Sequence, residues 1–291
     1  MLKQRLITGP ILSIGIIGIL ILDNSIGSQA CPNCYFVQSG LVLAILALLV
    51  APLAAIEFGA IGEGLGLRTS IPMMTLTLAA WIAFFYLGND TISAATSVAI
   101  AATILMGSFF LSIATLAKSK QLSGVIAGAT YSTMTATYLG LGFGFLLLIR
   151  REHDALWILG IIAIVKMCDT GAFFTGCNLG KHKLIPWISP GKTWEGLIGG
   201  VVTASLTAML LASLNNTYLQ DEPTISLTFA AIIGFILGLI GQCGDLVMSI
   251  FKRDSGLKDS SAALPGLGGV LDVLDSLILT SPVAYWLFQI L

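Results

Sequence analysis

Nine long apolar segments constrain the fold of this chain more than any other feature of its sequence. They cover residues 6–22, 36–56, 71–88, 92–117, 122–149, 155–176, 197–214, 225–248 and 269–290. A helix that crosses a bilayer needs about 20 predominantly apolar residues, and most of these segments approach or exceed that length. The pattern predicts an all-α, polytopic integral membrane protein with about nine transmembrane helices.

The composition supports a membrane protein and argues against several other classes. Hydrophobic residues make up 56% of the 291 residues and charged residues only 10%, against ~25% in a typical soluble domain. The net charge of −1 gives no reason to expect a nucleic acid partner. Glycine is frequent, and the pairs Gly196/Gly200 and Gly234/Gly238 have the spacing that lets membrane helices approach closely.

The lysines and arginines predict the orientation of the chain in the membrane. With a cytoplasmic N-terminus, eleven of the 14 fall on the inner side and two, Arg150 and Arg151, on the outer side, while Lys166 lies within a span. This bias predicts a protein of the cytoplasmic (inner) membrane. A cleaved signal peptide ending near Ser28–Ala30 is an alternative for the first span, and its removal would leave the remaining topology unchanged.

Polar chemistry is concentrated in the second half of the sequence. We therefore divide the chain into an N-terminal region of about five spans, residues 1–150, and a catalytic region of about four spans, residues 151–291. The polar loops 177–195 and 249–268 belong to the second region and both face the cytoplasm in this topology. They flank the seventh and eighth spans, so they can meet at the membrane face where nucleotides are available.

One close pair of cysteines, Cys31 and Cys34, stands before the second span. The pair is compatible with a disulfide, with a redox motif, or with two small residues in a short loop. No alternation of strands and helices surrounds it, as a thioredoxin-like motif would require.

Four aspartates form the strongest candidate for a metal site. Asp272 and Asp275 are three residues apart and share a helix face, and like charges so close repel unless a cation or a proton intervenes. Asp245 enters from the end of the eighth span, and Asp169 lies near the end of the sixth, three residues after Lys166. Carboxylates suit Mg²⁺, which also retains water for a substrate phosphate. Ionisable groups at membrane depth indicate function, although Lys166 and Asp169 could simply neutralise each other.

Hydroxyl groups, a lysine and glycines near these acids are suited to phosphate binding. Residues 189–196 read Ser-Pro-Gly-Lys-Thr-Trp-Glu-Gly, and Lys192 can hold a phosphate as a point charge. This segment is not a P-loop, because Pro186 occupies the position of the first glycine of that motif. Gly268 and Gly269 would allow the backbone to approach a phosphate.

These residues resemble the signature of the phosphatidate cytidylyltransferase family, also called CDP-diacylglycerol synthases. The matching C-terminal residues, in order and with the family's spacing, are Ser249, Lys252, Arg253, Lys258, Asp259, Pro265, Gly268, Gly269, Asp272, Asp275 and Ser276. A second matching block covers residues 168–176 and 189–196. The resemblance extends over residues 155–285. Before them it rests only on Glu57 and on residues 138–150.

The resemblance implies a nucleotidyltransferase of phospholipid biosynthesis that condenses CTP with phosphatidic acid, giving CDP-diacylglycerol and pyrophosphate, with its active site on the cytoplasmic face. It implies Mg²⁺ as cofactor, with room for a second, monovalent or divalent cation. The expected catalytic residues are Asp245, Asp272, Asp275 and Lys252, and the expected metal ligands are Asp245, Asp272, Asp275 and Asp169. The expected substrate-binding residues are Ser189, Lys192, Thr193, Ser249, Arg253, Lys258, Asp259, Gly268 and Gly269.

Three positions depart from the family pattern. Leu267 replaces a histidine, Val273 replaces an arginine, and Gly191 replaces the first of two lysines. Three interpretations follow: a divergent but active synthase, an enzyme for a different lipid phosphate, or a homologue that has lost activity. The four aspartates remain, so substrate identity and rate are affected more than metal binding.

Other functions fit parts of the same pattern. A CTP-dependent polyprenol or dolichol kinase would use the same nucleotide but transfer its γ-phosphate. A CDP-alcohol phosphotransferase fits less well, since Ser276-Leu277 after Asp275 breaks the motif of that family. An ion-coupled transporter would also contain buried acids, but the sequence shows no pair of matching halves. A homodimer is compatible with the sequence.

Overall fold

The protein is built almost entirely of α-helices. The computed structural model describes residues 2–28, 39–88, 92–218, 224–261, 263–264 and 268–291, with side chains from residue 8 to residue 26 in the first range. The helices are α1 (Leu2–Ser28), α2 (Leu41–Gly64), α3 (Ile71–Leu87), α4 (Ala94–Ala117), α5 (Val125–Glu152), α6 (Ala155–Leu179), α7 (Trp194–Tyr218), α8 (Leu227–Asp254) and α9 (Val270–Phe288).

Each apolar segment identified in the sequence overlaps one of these helices, so the all-α fold class is confirmed. The ends differ by several residues, most at α2, which covers residues 41–64 rather than 36–56, and at α1, which covers residues 2–28 rather than 6–22. Residues 177–195 were expected to form a loop. They contain instead an antiparallel hairpin of β1 (Lys183–Ile185) and β2 (Ser189–Thr193), in which Lys183 pairs with Thr193.

Eight helices of the described ranges are long and apolar enough to cross a membrane. The remaining helix, α3, is apolar but only 17 residues long. The protein is therefore an integral membrane protein, while the count of nine spans and the cytoplasmic N-terminus stay predictions. Cys31 and Cys34 lie outside the described residues, so their role also stays open.

Local sequence signals explain where several helices begin and end. Ser93 precedes α4, and its hydroxyl accepts a hydrogen bond from the backbone N–H of Thr96, as is typical of a helix N-cap. Gly256 follows α8 with φ 75°, and the N–H of Leu257 donates to the carbonyl of Lys252. This Schellman motif ends α8 at Asp254, so Lys252 lies in the last turn of the helix.

The chain divides into two compact units, of which the first comprises residues 1–155 and 251–273. In this unit α3 packs against α2, α4 and α5. Gly140 and Gly144 permit the approach of α5 to α3: a Cβ at Gly140 would lie 2.6 Å from the Cβ of Trp81, and one at Gly144 would overlap the ring of Phe85. Aromatic side chains of α3 thus fill the space that the glycines leave.

The second unit comprises residues 156–250 and 274–291. Its helices also approach at glycines, as their spacing predicts. A Cβ at Gly200 of α7 would lie 2.8 Å from the carbonyl oxygen of Cys168, and one at Gly234 of α8 would lie 2.6 Å from the carbonyl oxygen of Ala204. The predicted domain boundary at residue 150 stays a prediction.

A buried ion pair joins α1, α2 and α5 within the first unit. The Nε atom of Arg150 donates to Oδ2 of Asp23 at 2.6 Å, and the two side chains are 4% and 1% exposed. Asp23 also accepts hydrogen bonds from the backbone N–H groups of Gly40, Val42 and Leu43, at the start of α2. One carboxylate therefore neutralises a buried cation and caps a helix.

Substituting Arg150 with methionine should destabilise the protein by about 3–5 kcal/mol, because it leaves the Asp23 carboxylate buried without its cation. Thermal unfolding in detergent micelles measures the effect. The double variant Asp23→Asn/Arg150→Met removes both charges and should recover part of the loss. Unfolding of the single variant at the wild-type temperature would contradict a stabilising ion pair.

Candidate active site

The hairpin β1–β2 directs Lys192 toward the interior of the second unit. Thr193, the last residue of β2, is buried. Its hydroxyl accepts a hydrogen bond from the backbone N–H of Gly196 and thereby caps α7. Glu195 accepts hydrogen bonds from the N–H groups of Lys181 and His182 and contacts Nδ1 of His182 at 2.6 Å. These bonds fix both ends of the hairpin, so the position of Lys192 is set by the backbone on either side.

Lys192 lies between an acid and an amide. Its Nζ atom is 2.7 Å from Oδ2 of Asp245 and donates to Oε1 of Gln242 at 3.0 Å. The amide Nε2 of Gln242 donates to Oδ1 of Asp169 at 2.8 Å. The other oxygen of Asp169 is 3.6 Å from Nζ of Lys166, so the two form the ion pair that their spacing allowed as one alternative. An alternating chain of cations, acids and one amide thus runs across α6, α8 and β2.

Asp275 of α9 adds a third carboxylate to the same unit. It is only 6% exposed, and it interacts electrostatically with Asp245, which repels it, and with Lys166, which attracts it. Its Oδ1 atom accepts hydrogen bonds from the backbone N–H and the hydroxyl of Ser276. Gly244 makes the approach possible, because a Cβ there would lie 2.6 Å from the carbonyl oxygen of Asp275.

We call this group the carboxylate cluster; its members are Asp169, Asp245 and Asp275 with Lys166, Lys192 and Gln242. The structure thus brings together three of the four aspartates predicted from the sequence. In the ranges that the structure describes, no group of three or more acidic, histidine or cysteine side chains has the arrangement of a metal site. Gln242 was not identified from the sequence, since an uncharged side chain in an apolar span carries little signal.

The fourth aspartate, Asp272, lies in a separate group within the first unit. Its Oδ1 atom is 2.5 Å from Nζ of Lys252, and both side chains are largely buried. Its Oδ2 atom accepts hydrogen bonds from the backbone N–H of Ser260 at 3.0 Å, from the hydroxyl of the same residue at 2.9 Å, and from the N–H of Gly269 at 2.9 Å. Lys252 and Asp272, both predicted to be catalytic, therefore form a direct ion pair.

Glu57 of α2 completes this second group. The carboxylate is 3% exposed and accepts hydrogen bonds from the hydroxyls of Ser260 and Ser261, at 2.8 and 2.7 Å. It also accepts the backbone N–H groups of Val270 and Leu271, at 2.8 and 2.9 Å, which belong to the first turn of α9. Glu57 therefore caps α9 from another part of the chain.

We call these residues the Glu57 network; its members are Glu57, Lys252, Ser260, Ser261, Gly269 and Asp272. The sequence placed Glu57 only within a weak family match and assigned it no role. A single acid within an apolar span was the available signal. Its partners are about 200 positions away, as the sequence separation of 203 between Glu57 and Ser260 shows, so the sequence alone could not identify them.

The remaining predicted residues occupy diverse positions. Ser189 pairs with Ile185 in the hairpin, and Ser249 lies half-buried on α8. Arg253, Lys258 and Asp259 are exposed at and after the end of α8.

Gly268 and Gly269 do not present open backbone. Gly268 has φ 90°, and a Cβ at that position would overlap the carboxylate of Asp272. The space beside Gly269 is filled by the side chains of Ser260 and Glu57. Pro265 and Leu267 lie outside the described residues.

Comparison with known proteins identifies the family of this chain. The model of the "Cytidylyltransferase family" matches residues 3–291. A phosphatidate cytidylyltransferase of Staphylococcus saprophyticus is 34% identical over 246 residues, which cover 84% of this chain and 89% of the relative. A phosphatidate cytidylyltransferase of Haemophilus influenzae is 43% identical over 140 residues, 48% of each chain.

A third relative, the "Uncharacterized protein YnbB" of Escherichia coli, is 40% identical over 138 residues. The match covers 47% of this chain and 44% of that protein. The matched part thus spans about half the length of the Escherichia coli and Haemophilus influenzae relatives, but most of the Staphylococcus saprophyticus relative.

Replacing Glu57 with glutamine should loosen the first turn of α9. One carboxylate oxygen becomes an N–H₂ group, which cannot accept a hydrogen bond from Val270 or Leu271 and leaves a buried donor unsatisfied. Hydrogen exchange of peptides covering residues 257–272 should become faster. Glu63→Gln, a change at an exposed position of the same helix, is the matched control. Equal protection in the two variants would contradict the capping role.

Proposed function

Because the chain belongs to the cytidylyltransferase family, we propose that it is a phosphatidate cytidylyltransferase, which condenses CTP with phosphatidic acid to give CDP-diacylglycerol and pyrophosphate. The observation that carries this proposal is the carboxylate cluster, in which acids and lysines from four segments of the second unit lie within interaction distance. Its support from relatives is the match to the Staphylococcus saprophyticus enzyme over 89% of that enzyme's length.

The reaction depends more on neutralising the negative charges of its two substrates than on proton transfer. A phosphate oxygen of phosphatidic acid forms a bond to the α-phosphorus of CTP, and the bond from that phosphorus to the bridging oxygen of the β-phosphate breaks. The electron pair leaves with pyrophosphate. The nucleophile is already an anion, so the protein must position two negatively charged substrates and offset their repulsion.

Lys192 is the group best placed to hold a phosphate. Its side chain is 17% exposed and its ammonium is held by Asp245 and Gln242, so it is oriented before a substrate arrives. A cation held in this way stabilises the charge that develops on transferred phosphate oxygens without reorganisation. Ser189 and Thr193 belong to the same strand as Lys192, although the buried hydroxyl of Thr193 also caps α7.

Asp245 and Asp275 suit Mg²⁺ by the chemistry of their donors. Their carboxylates repel each other, and a divalent cation between them would offset that repulsion. Mg²⁺ is usually held by one or two carboxylates together with substrate phosphates, so two protein ligands are sufficient. Bound Mg²⁺ would neutralise and orient the phosphates of CTP. Asp169, held by Lys166 and Gln242, would be a further ligand or the start of a second cation site.

Asp272 is proposed chiefly as a partner of Lys252. Its oxygens already accept hydrogen bonds from Lys252, Ser260 and Gly269, and metal binding would require an exchange of at least one of these donors. The assignment of Asp272 as a metal ligand therefore stays a prediction. Arg253 and Lys258 are exposed cations suited to an anionic substrate.

Two of the three departures from the family pattern, Gly191 and Val273, are compatible with an active enzyme. Gly191 is exposed on β2, and a Cβ built there meets no atom within 4 Å, so the position has space for the lysine that the family usually has. Glycine at this position means that the site has one cation fewer than is usual in the family, but Lys192 remains. Val273 stands directly after Asp272 on α9, and the ion pair of Asp272 with Lys252 does not involve it.

Asp245→Asn should lower Mg²⁺-dependent release of pyrophosphate from CTP and phosphatidic acid by on the order of 100-fold or more. The substitution removes the negative charge that pairs with Lys192 and that is proposed to bind the metal. The measurement is a pyrophosphate assay in detergent over a range of Mg²⁺ concentrations. Asp254→Asn, an exposed carboxylate on the same helix, is the matched control. Wild-type turnover and Mg²⁺ dependence in Asp245→Asn would defeat the metal assignment.

The position of the label in the lipid product separates cytidylyl transfer from the alternative kinase reaction. With CTP labelled at the α-phosphorus and phosphatidic acid as acceptor, the label should appear in the lipid. With label at the γ-phosphorus it should appear in pyrophosphate. A γ-label recovered in lipid, with either phosphatidic acid or a polyprenol as acceptor, would overturn the proposed function in favour of a kinase.

A further inference from the structure

The hairpin between α6 and α7, residues 180–193, must lie at a membrane surface. It follows Leu179, the last residue of one candidate span, and precedes Trp194, the first residue of the next. A paired hairpin of this length extends at most roughly 20 Å from the ends of the two apolar helices, so it stays next to the lipid head groups. The side chains that it exposes therefore meet lipid head groups as well as water.

The tip of the hairpin exposes a large aromatic side chain. Trp187 is 78% exposed, in a turn closed by the hydrogen bond from the N–H of Ile188 to the carbonyl of Ile185. Leu179 and Trp194, at the base of the hairpin, are 64% and 52% exposed. Tryptophan is enriched at membrane interfaces, where its ring enters the apolar boundary and its N–H remains near water.

Two lysines give the same surface a positive charge. Lys181 and Lys183 are exposed, and neither forms an ion pair with any part of the chain that the structure describes. Glu195, the acid nearest to Lys183 in the sequence, is already bonded to two backbone N–H groups and to the ring of His182. Lys192 points the other way, toward Asp245, so it does not contribute to the positive charge of this surface.

We propose that this hairpin is a membrane anchor for an anionic leaflet: Trp187 inserts into the interfacial layer, and Lys181 and Lys183 bind the phosphates of acidic lipids. An exposed tryptophan supplies apolar attraction, and adjacent lysines supply attraction to negative head groups that is absent for a zwitterionic surface. The complementarity of charge selects an anionic lipid surface as the partner.

The anchor also connects the lipid surface to the carboxylate cluster. The hairpin strands are paired, so a hairpin held at fixed depth by Trp187 also fixes β2, which carries Lys192 to Asp245. The anchor would thus concentrate acidic lipid near the side chain proposed to bind phosphate. This kinetic consequence rests on the proposed function, whereas anchoring itself does not.

Fluorescence in bilayers tests the anchor without any substrate. The emission of Trp187 is obtained as the difference between wild type and Trp187→Phe in nanodiscs. Brominated phosphatidylglycerol in phosphatidylcholine should quench it more strongly than brominated phosphatidylcholine in phosphatidylglycerol. Each lysine should enrich the anionic lipid near the hairpin about fivefold. The double variant Lys181→Gln/Lys183→Gln should therefore lose the preference for phosphatidylglycerol, while both brominated lipids still quench Trp187.

Lys118→Gln/Lys120→Gln, the same change of charge between α4 and α5, is the matched control and should keep the preference. Three results would overturn the proposal. The first is quenching of Trp187 by aqueous iodide but by neither lipid, and the second is quenching by none of the three, as expected if a second copy of the chain covers Trp187. The third is an equal loss of the lipid preference in the two double lysine variants.

A second measurement tests the kinetic consequence. Trp187→Ser should raise KM for phosphatidic acid in mixed micelles several-fold and leave KM for CTP unchanged, because Trp187 contacts the lipid surface and not the nucleotide. An equal change in the two KM values would contradict the connection to substrate supply. Failure of the proposed function would appear as absence of turnover in wild type, with the quenching result unaffected.

Discussion

The free-energy cost of removing a charge from water is the constraint on which the remaining features of this structure depend. Asp23 meets that cost with a cation, Arg150, and three backbone N–H groups. Glu57 meets it with two hydroxyls and the first two N–H groups of α9, and no cation pairs with it in the ranges that the structure describes. In both cases a helix N-terminus supplies donors that would otherwise be unsatisfied.

The carboxylate cluster differs because its charges are only partly compensated. Lys192 and Lys166 attract Asp245 and Asp169, but Asp275 is buried beside another acid and its hydrogen bonds come from its own neighbour, Ser276. Surplus negative charge in a buried place is unfavourable for a purely structural group. The proposed Mg²⁺, which would also bind the substrate phosphates, would offset this surplus charge during function.

Small residues and a short hairpin determine which side chains can reach these positions. Gly244 lets α8 approach the backbone of Asp275, and Gly200 and Gly234 allow similar approaches of α7 and α8 to their neighbours. The hairpin then carries one lysine inward and exposes a tryptophan at its tip. Close backbone approach and strand pairing, rather than flexible side chains, thus set the geometry of the lysine proposed to bind phosphate.

The sequence by itself determined the all-α fold class, the helices and the identity of most candidate residues. Helices in lipid satisfy their own backbone hydrogen bonds, so a local run of apolar residues is sufficient to predict them. Tertiary structure alone decided that Gln242 joins Lys192 to Asp169, that Glu57 caps α9, and that Asp272 pairs with Lys252. These contacts join residues distant in the chain, and their partners depend on which helix faces pack together, which periodicity and composition do not encode.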